Sequence, residues 1–337
     1  MSLLAEYALF LAKTLTVLFS ILLILGKIFA SKSKSSNKAK VTIKKINEQF
    51  SDLKQHMQSK ALSKSELKKW QKNEKKVSGG QKKSQKRSRT FYLRFKGDMQ
   101  ASQVESLRRE ITAILLIANK SDEVVVSLES PGGVVHGYGL AASQLARLRN
   151  ANIPLTVIVD KVAASGGYMM ASVANTILAA PFAIIGSIGV LAQIPNFHRF
   201  LKKRDIDFEQ ITAGQYKRTL TYFGNNTTED REKMQADIDE THSLFKEHIK
   251  HFRDSMDIDK VATGEYWYGT QAHELNLIDG IDTSDDYLLK QQSERDVFLI
   301  SAETPKSFLQ KLMMSTHQAW SSLFSSTLAA KDERVLK

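Results

Sequence analysis

Ala164-Ser165-Gly166-Gly167 sets one small hydroxyl among residues with almost no bulk, near the start of a run, residues 162–197, that carries no charged side chain. Glycine neighbours let a carbonyl approach a serine Oγ and leave backbone N–H groups able to face the oxyanion that attack creates. Ser165 is therefore the candidate nucleophile. A serine hydroxyl attacks well only when a base takes its proton. The histidines are poorly placed to act as that base. His136 follows a glycine pair, His198 closes the uncharged run, and the other six lie in basic or helical-looking stretches. Lysine is the alternative. Gly214-Gln215-Tyr216-Lys217-Arg218 puts Lys217 in a turn-like segment between an apparent strand, 208–212, and a long polar helix. A lysine amine serves as a base only where apolar surroundings disfavour its charged form.

Glu129-Ser130-Pro131-Gly132-Gly133 follows the strand-like run 124–128. Pro131 stops a strand, and the two glycines free the backbone to turn before a helix expected near 138–149. Backbone N–H groups at such a turn are suited to hold an oxyanion. Taken singly, each motif also has a plain structural reading. Ser-Gly-Gly suits a loop or a close helix contact, Lys217 a solvated surface, and His136 the start of a helix.

Four motifs stand in order: Ser-Pro-Gly-Gly at 130–133, Ser-Gly-Gly-Tyr at 165–168, Gly-Ser-Ile-Gly-Val at 186–190 and Gly-Gln-Tyr-Lys-Arg at 214–218. Together they resemble the signal peptide peptidase A (protease IV) family, in its short branch with a single catalytic domain. The stretches 136–145 and 261–269 resemble that branch too, and the likeness runs from about Phe91 to Asp286. The resemblance implies a serine endopeptidase with a Ser-Lys dyad on a ClpP/crotonase-like α/β fold of repeated β-β-α and βαβ units. It makes Ser165 the nucleophile and Lys217 the general base. It implies an oxyanion hole at Gly132, Gly133 and Gly166, with the Gly133 and Gly166 amides as donors. It sets Ser187 beside the lysine amine as an orienting hydroxyl. One departure is visible: Glu129 stands where many members have Asn. The resemblance further implies hydrophobic peptides or membrane-protein segments as substrates, and a homo-oligomer in which serine and lysine can come from neighbouring subunits.

No cofactor is expected, because neither a His-Glu-x-x-His pattern nor clustered metal-ligand spacing occurs, and the chain has no cysteine for a disulfide or thiolate site. The chemistry then falls to side chains and backbone. Net charge is +12, but residues 31–90 hold 19 Lys or Arg against 4 Asp or Glu. The basicity thus belongs to this tract, expected as a linker that is helical in part around 46–76. Phe50 and Trp70 are its only rings, so nucleic acid is not an expected partner and anionic lipid headgroups are. Residues 7–30 are apolar apart from Lys13, Lys27 and a few hydroxyls, long enough for a helix that spans a bilayer. The positive charge follows this stretch and no clear small-x-small cleavage site ends it, which favours an uncleaved anchor over a signal peptide. The flanking charges predict a cytoplasmic catalytic domain. The family resemblance implies the periplasmic side of a bacterial inner membrane.

The expected layout is an anchor at 1–30, a basic linker at 31–90, the peptidase domain at 91–300 and an amphipathic tail at 301–337. Within the domain, strands at 91–95, 124–128 and 155–159 alternate with helices at 102–118 and 139–149, the order of parallel βαβ units. A further helix is expected at 229–254. The uncharged run 162–197, broken by Pro181, Gly186, Gly189 and Pro195, reads as buried structure under a substrate groove rather than a second span. Two other classes remain: a crotonase-type acyl-CoA enzyme, which leaves Ser165 and Lys217 without a role, and a catalytically silent membrane scaffold.

Overall fold

Runs of β-branched and aromatic residues become the central strands of a sheet whose two faces are both covered, as their near-continuous hydrophobicity demands. The computed structural model describes residues 3–32, 41–81 and 87–302. In chain order the elements are α1 (Leu3–Lys32), β1 (Val41–Lys45), α2 (Ile46–Ala61), α3 (Lys64–Gln81), β2 (Arg89–Lys96), α4 (Val104–Leu115), β3 (Glu123–Glu129), α5 (Val135–Asn150), β4 (Leu155–Val159) and β5 (Val162–Ala164). There follow α6 (Gly166–Ala171), β6 (Thr176–Ala179), β7 (Ile184–Gly186), α7 (His198–Lys202), α8 (Thr228–Phe252), α9 (Ile258–Val261), β8 (Tyr266–Tyr268), α10 (Gly269–Glu274), β9 (Gly280–Ile281), α11 (Ser284–Glu294) and β10 (Asp296–Ala302).

Seven strands form the main sheet in the order β1-β10-β2-β3-β4-β6-β9, and β5-β7-β8 form a second, smaller sheet. Only β1–β10 in the first and β7–β8 in the second are antiparallel. This is the α/β arrangement the resemblance implied. Alternation along each strand separates two cores. Phe91, Leu93 and Phe95 of β2 and Val124, Val126 and Leu128 of β3 face α4, α5 and α6, while Tyr92, Val125, Ile158 and Val297 face α2 and α11. An isolated parallel bridge between Ser130 and Ala163 ties the end of β3 to β5, so the two sheets meet where β3 stops.

The compact unit runs from Val41 to Ala302. Residues 41–81, expected as part of a linker, are therefore built into it. β1 pairs with β10 along its whole length, from Val41 opposite Ala302 to Lys45 opposite Phe298. Asn47 at the start of α2 donates to the carbonyls of Gln292 and Arg295 and accepts from Val297 N–H, clamping α2 to the join of α11 and β10. The helical part expected at 46–76 is present as α2 and α3. The strand expected at 208–212 is absent: those residues are exposed and pair with nothing.

The other unit contains α1, a continuous helix of 30 residues. Thr14, Thr16 and Ser20 donate their hydroxyls to the carbonyls four residues back, which satisfies them inside the helix. Among the described residues no helix is long and apolar enough to cross a membrane, so the span expected at 7–30 is not shown. The tail expected after residue 302 lies outside the described residues.

Candidate active site

Ser165 sits between β5 and α6 with φ 52° and ψ −121°, a conformation that L-residues other than glycine rarely adopt. Both of its backbone groups are pinned. Its N–H donates to Gly186 O at 2.8 Å and its carbonyl accepts from Met169 N–H at 3.0 Å. Strand β5 is held on one side by β7 and on the other by Ser130, while every residue of α6 is buried. The chain thus delivers Ser165 from a short strand into a short core helix, leaving its side chain half-buried at the C-terminal edge of the parallel strands. Ligands of open α/β sheets gather at that edge.

The turn after β3 comes directly against this serine. Gly132 has φ +91°, and a Cβ on it would stand 2.7 Å from Ser165 Cβ, 2.8 Å from Ala164 O and 3.0 Å from Gly166 N. Gly166 has the same constraint on its other side, where a side chain would run into the Tyr138 ring. Close approach requires glycine at both positions, and the positive φ of Gly132 requires it there a second time.

A chain of hydrogen bonds holds the turn. Tyr138, fully buried on α5, donates its hydroxyl to Asp98 O at 2.8 Å. Its single proton is then used, so at 2.6 Å Ser130 Oγ is the donor to the Tyr138 oxygen. Ser130 Oγ in turn accepts Gly132 N–H at 3.1 Å. Burial, with the Asp98 charge adding to it, pushes the Tyr138 phenol above its ordinary range and keeps it protonated, as this donor role needs. The Gly132 amide is committed to Ser130, so Gly132 contributes space beside Ser165 rather than a donor. Among the described residues the amides of Gly133 and Gly166 have no acceptor.

Ser187 follows Gly186, whose carbonyl holds Ser165, and it too has positive φ, 49°, with its N–H donating to Glu265 O at 2.7 Å. The structure therefore brings Ser165, Gly132, Gly133, Gly166 and Ser187 into one neighbourhood. Lys217 is not joined to them in the single chain. It is exposed, in the irregular segment between α7 and α8, its N–H closing a turn onto Gly214 O at 3.1 Å. Among the described residues its amine takes part in no hydrogen bond or ion pair. His136 is exposed in the first turn of α5, likewise without a partner among the described residues.

Three features escape the sequence. Ser130 and Tyr138 lie eight residues apart, a spacing that announces nothing. The segment carrying Lys217 is braced by Asn196, whose side-chain amide donates to Thr221 O at 2.9 Å and Gly224 O at 3.0 Å, and by Asn226, which accepts from Thr221 N–H at 2.9 Å. Behind α6, His248 Nε2 lies 3.1 Å from Met169 O. Glu129 lies between Lys96 at 3.1 Å and Lys161 at 3.3 Å, and its hydrogen bond to Lys96 leads in holding its carboxyl below the usual range.

The fold is thus α/β, with Ser165 held at positive φ against a glycine turn at the edge of the sheet. The family model described as Peptidase family S49 N-terminal matches residues 2–145, and the one described as Peptidase family S49 matches residues 147–297. The chain belongs to peptidase family S49, and it is a protease. It is 45% identical over 322 residues to the probable protease SohB of Haemophilus influenzae, covering 91% of each chain. It is 48% identical over 306 residues to the probable protease SohB of Buchnera aphidicola subsp. Schlechtendalia chinensis, with 86% of this chain and 100% of that one covered. A third protein of that description, from Buchnera aphidicola subsp. Acyrthosiphon pisum, is 57% identical over 232 residues, covering 68% and 69% of the two chains.

Proposed function

We propose that this protease is a SohB-type serine endopeptidase that attacks through Ser165 and uses Lys217 as its base. The observation that carries the reading is the Ser165 backbone, held at positive φ against Gly132 with two acceptor-free amides nearby. Ser165 Oγ adds to the scissile carbonyl as its proton passes to the Lys217 amine. The tetrahedral oxyanion is received by the N–H groups of Gly133 and Gly166. The lysine then gives its proton to the departing amine, and water cleaves the acyl ester by the same relay in reverse. Ser187 holds the amine in line.

Lys217 is exposed in a single chain, so the reading assigns each site two protomers, with serine from one and lysine from its neighbour. Exposed apolar side chains on the same stretch, Ile206, Ile211 and Phe223 among them, support a homo-oligomeric contact there. The uncharged run 162–197 supports hydrophobic peptides or membrane-protein segments as substrates. The apolar stretch 7–30 supports a single-pass anchor in a bacterial inner membrane. On the family resemblance the active domain faces the periplasm.

Mixing tests the shared site. Ser165→Ala and Lys217→Ala proteins, each folded, lose hydrolysis of an apolar reporter peptide by several orders of magnitude. Dissociated and reassembled together, they regain a fraction of it. Near-normal turnover by Lys217→Ala removes the lysine from the mechanism, and an active monomer removes the sharing. A serine-reactive phosphonate that fails to label Ser165 in the intact protein points instead to a silent scaffold.

A further inference from the structure

Helix α3 has two unlike long faces. Ser63 starts it with a capping arrangement, donating its hydroxyl to Glu66 Oε2 at 2.6 Å while its N–H reaches the same oxygen at 3.0 Å. Leu67, Trp70 and Glu74, spaced three and four residues apart, are half-buried toward α2. Lys54 of α2 reaches Glu74 at 2.5 Å and lies 5.8 Å from the centre of the Trp70 ring. The opposite side presents Lys64, Lys68, Lys69 and Lys72, all exposed, and none is in an ion pair among the described residues. Four like charges within about two and a half turns repel one another, so a face of this kind gains most from an anionic surface.

We infer that the Lys64, Lys68, Lys69 and Lys72 face of α3 docks on anionic phospholipid headgroups. The two rings of the hairpin point away from a ligand, Phe50 against the sheet core and Trp70 against Lys54, so it offers no stacking platform for bases. The same hairpin carries exposed Leu53 and Met57 one turn apart on α2, side chains that suit a lipid surface and not a nucleic-acid backbone. Helix α2 packs on the sheet face opposite α4, α5 and α6, so headgroup contact there leaves the Ser165 side of the sheet open. The contact does not require the proposed anchoring through residues 7–30 but is strengthened by it. Tethering by that stretch turns a weak electrostatic contact into an intramolecular one.

The chain has no cysteine, so Ser65→Cys on exposed α3 gives the full-length protein a unique attachment point for a donor dye. The protein is reconstituted in vesicles of phosphatidylcholine alone or with phosphatidylglycerol, with acceptor dye on the headgroups. Energy transfer is expected to rise with phosphatidylglycerol and to fall again in ~0.5 M salt, where screening shortens to a few ångström. Changing the four lysines to glutamine should shift the docking equilibrium on the order of a thousandfold toward the free state, at about 1 kcal/mol per lysine. Equal transfer in both lipids, or an unaltered response in the quadruple variant, overturns the inference. So does tight binding of duplex DNA by the same lysines with no lipid response. Flotation separates this from the anchor: flotation with phosphatidylglycerol only, lost in salt, supports the lysine face and sinks the anchor. Failure to float with either lipid sinks both.

Discussion

Replacing Ser165 by glycine removes a strained conformation along with the nucleophile, whereas replacing it by alanine removes the nucleophile alone. At φ 52° and ψ −121° the Cβ of Ser165 crowds its own backbone, and the bonds to Gly186 O and Met169 N–H prevent it from relaxing. Holding a non-glycine residue at positive φ costs ~1–2 kcal/mol. Glycine escapes that cost but loses ~0.5–1 kcal/mol more backbone freedom on folding. The balance leaves Ser165→Gly about 1 kcal/mol more stable than Ser165→Ala, or ~2–4 °C in melting temperature for a unit of this size. Both variants are inactive, so paired thermal melts with a peptide assay as control isolate the backbone effect. If the glycine protein melts at or below the alanine protein, Ser165 is not strained and the link between its geometry and its chemistry fails.

Gly132→Ala puts a methyl group 2.7 Å from Ser165 Cβ and a non-glycine residue at φ +91°, which should cost ~1–3 kcal/mol by overpacking and ~1–2 kcal/mol more in backbone strain and lower turnover at least about a hundredfold; Gly139→Ala, with nothing within 4 Å, should be neutral or slightly stabilising in the same urea melts. His248 is held below its usual range mainly by burial, so the folded state resists a proton that the unfolded state accepts near 6.5. Stability present above pH 6.5 is therefore lost as pH falls toward the folded value, and His248→Gln should flatten that part of a melting-temperature profile. Asn196→Ala releases the brace on the segment carrying Lys217, so kcat should fall about tenfold or more with little change in KM, and an unaltered kcat counts against that segment's role. Glu110, buried on α4 and accepting Ala302 N–H at 2.8 Å, has its carboxyl pushed up by burial. Glu110→Gln should therefore raise the melting temperature at pH 8 more than at pH 5.

The layers of the main sheet were legible because β2, β3 and β4 are long apolar runs set between amphipathic helices, where local pattern and tertiary role agree. β1 was not. Its five residues sit in a lysine-rich tract, and the partner that makes them a strand lies about 260 positions away. Residues 208–212 show the converse, with strand-forming composition but no neighbour to pair with, and Ile211 is 95% exposed. At the site, Ser165 and the glycine turn could be read from residue types alone, since small residues around a hydroxyl mean close approach wherever they occur. The Ser130–Tyr138 relay was hidden because its donors are assigned by three-dimensional contact. Lys217 was a candidate from the want of a well-placed histidine, with its role given by resemblance, and it stays exposed, since on the proposed reading the residues that would enclose it are not in its own chain.

The register that places Val41 opposite Ala302 has a mechanical consequence. The polypeptide enters and leaves the compact unit through neighbouring antiparallel strands, about 5 Å apart. Tension on the chain before Val41 and after Ala302 is therefore applied at the open end of one strand pair. It loads the β1–β10 bonds one after another, like a zip, while the parallel strands that carry the serine stay outside the path of the force.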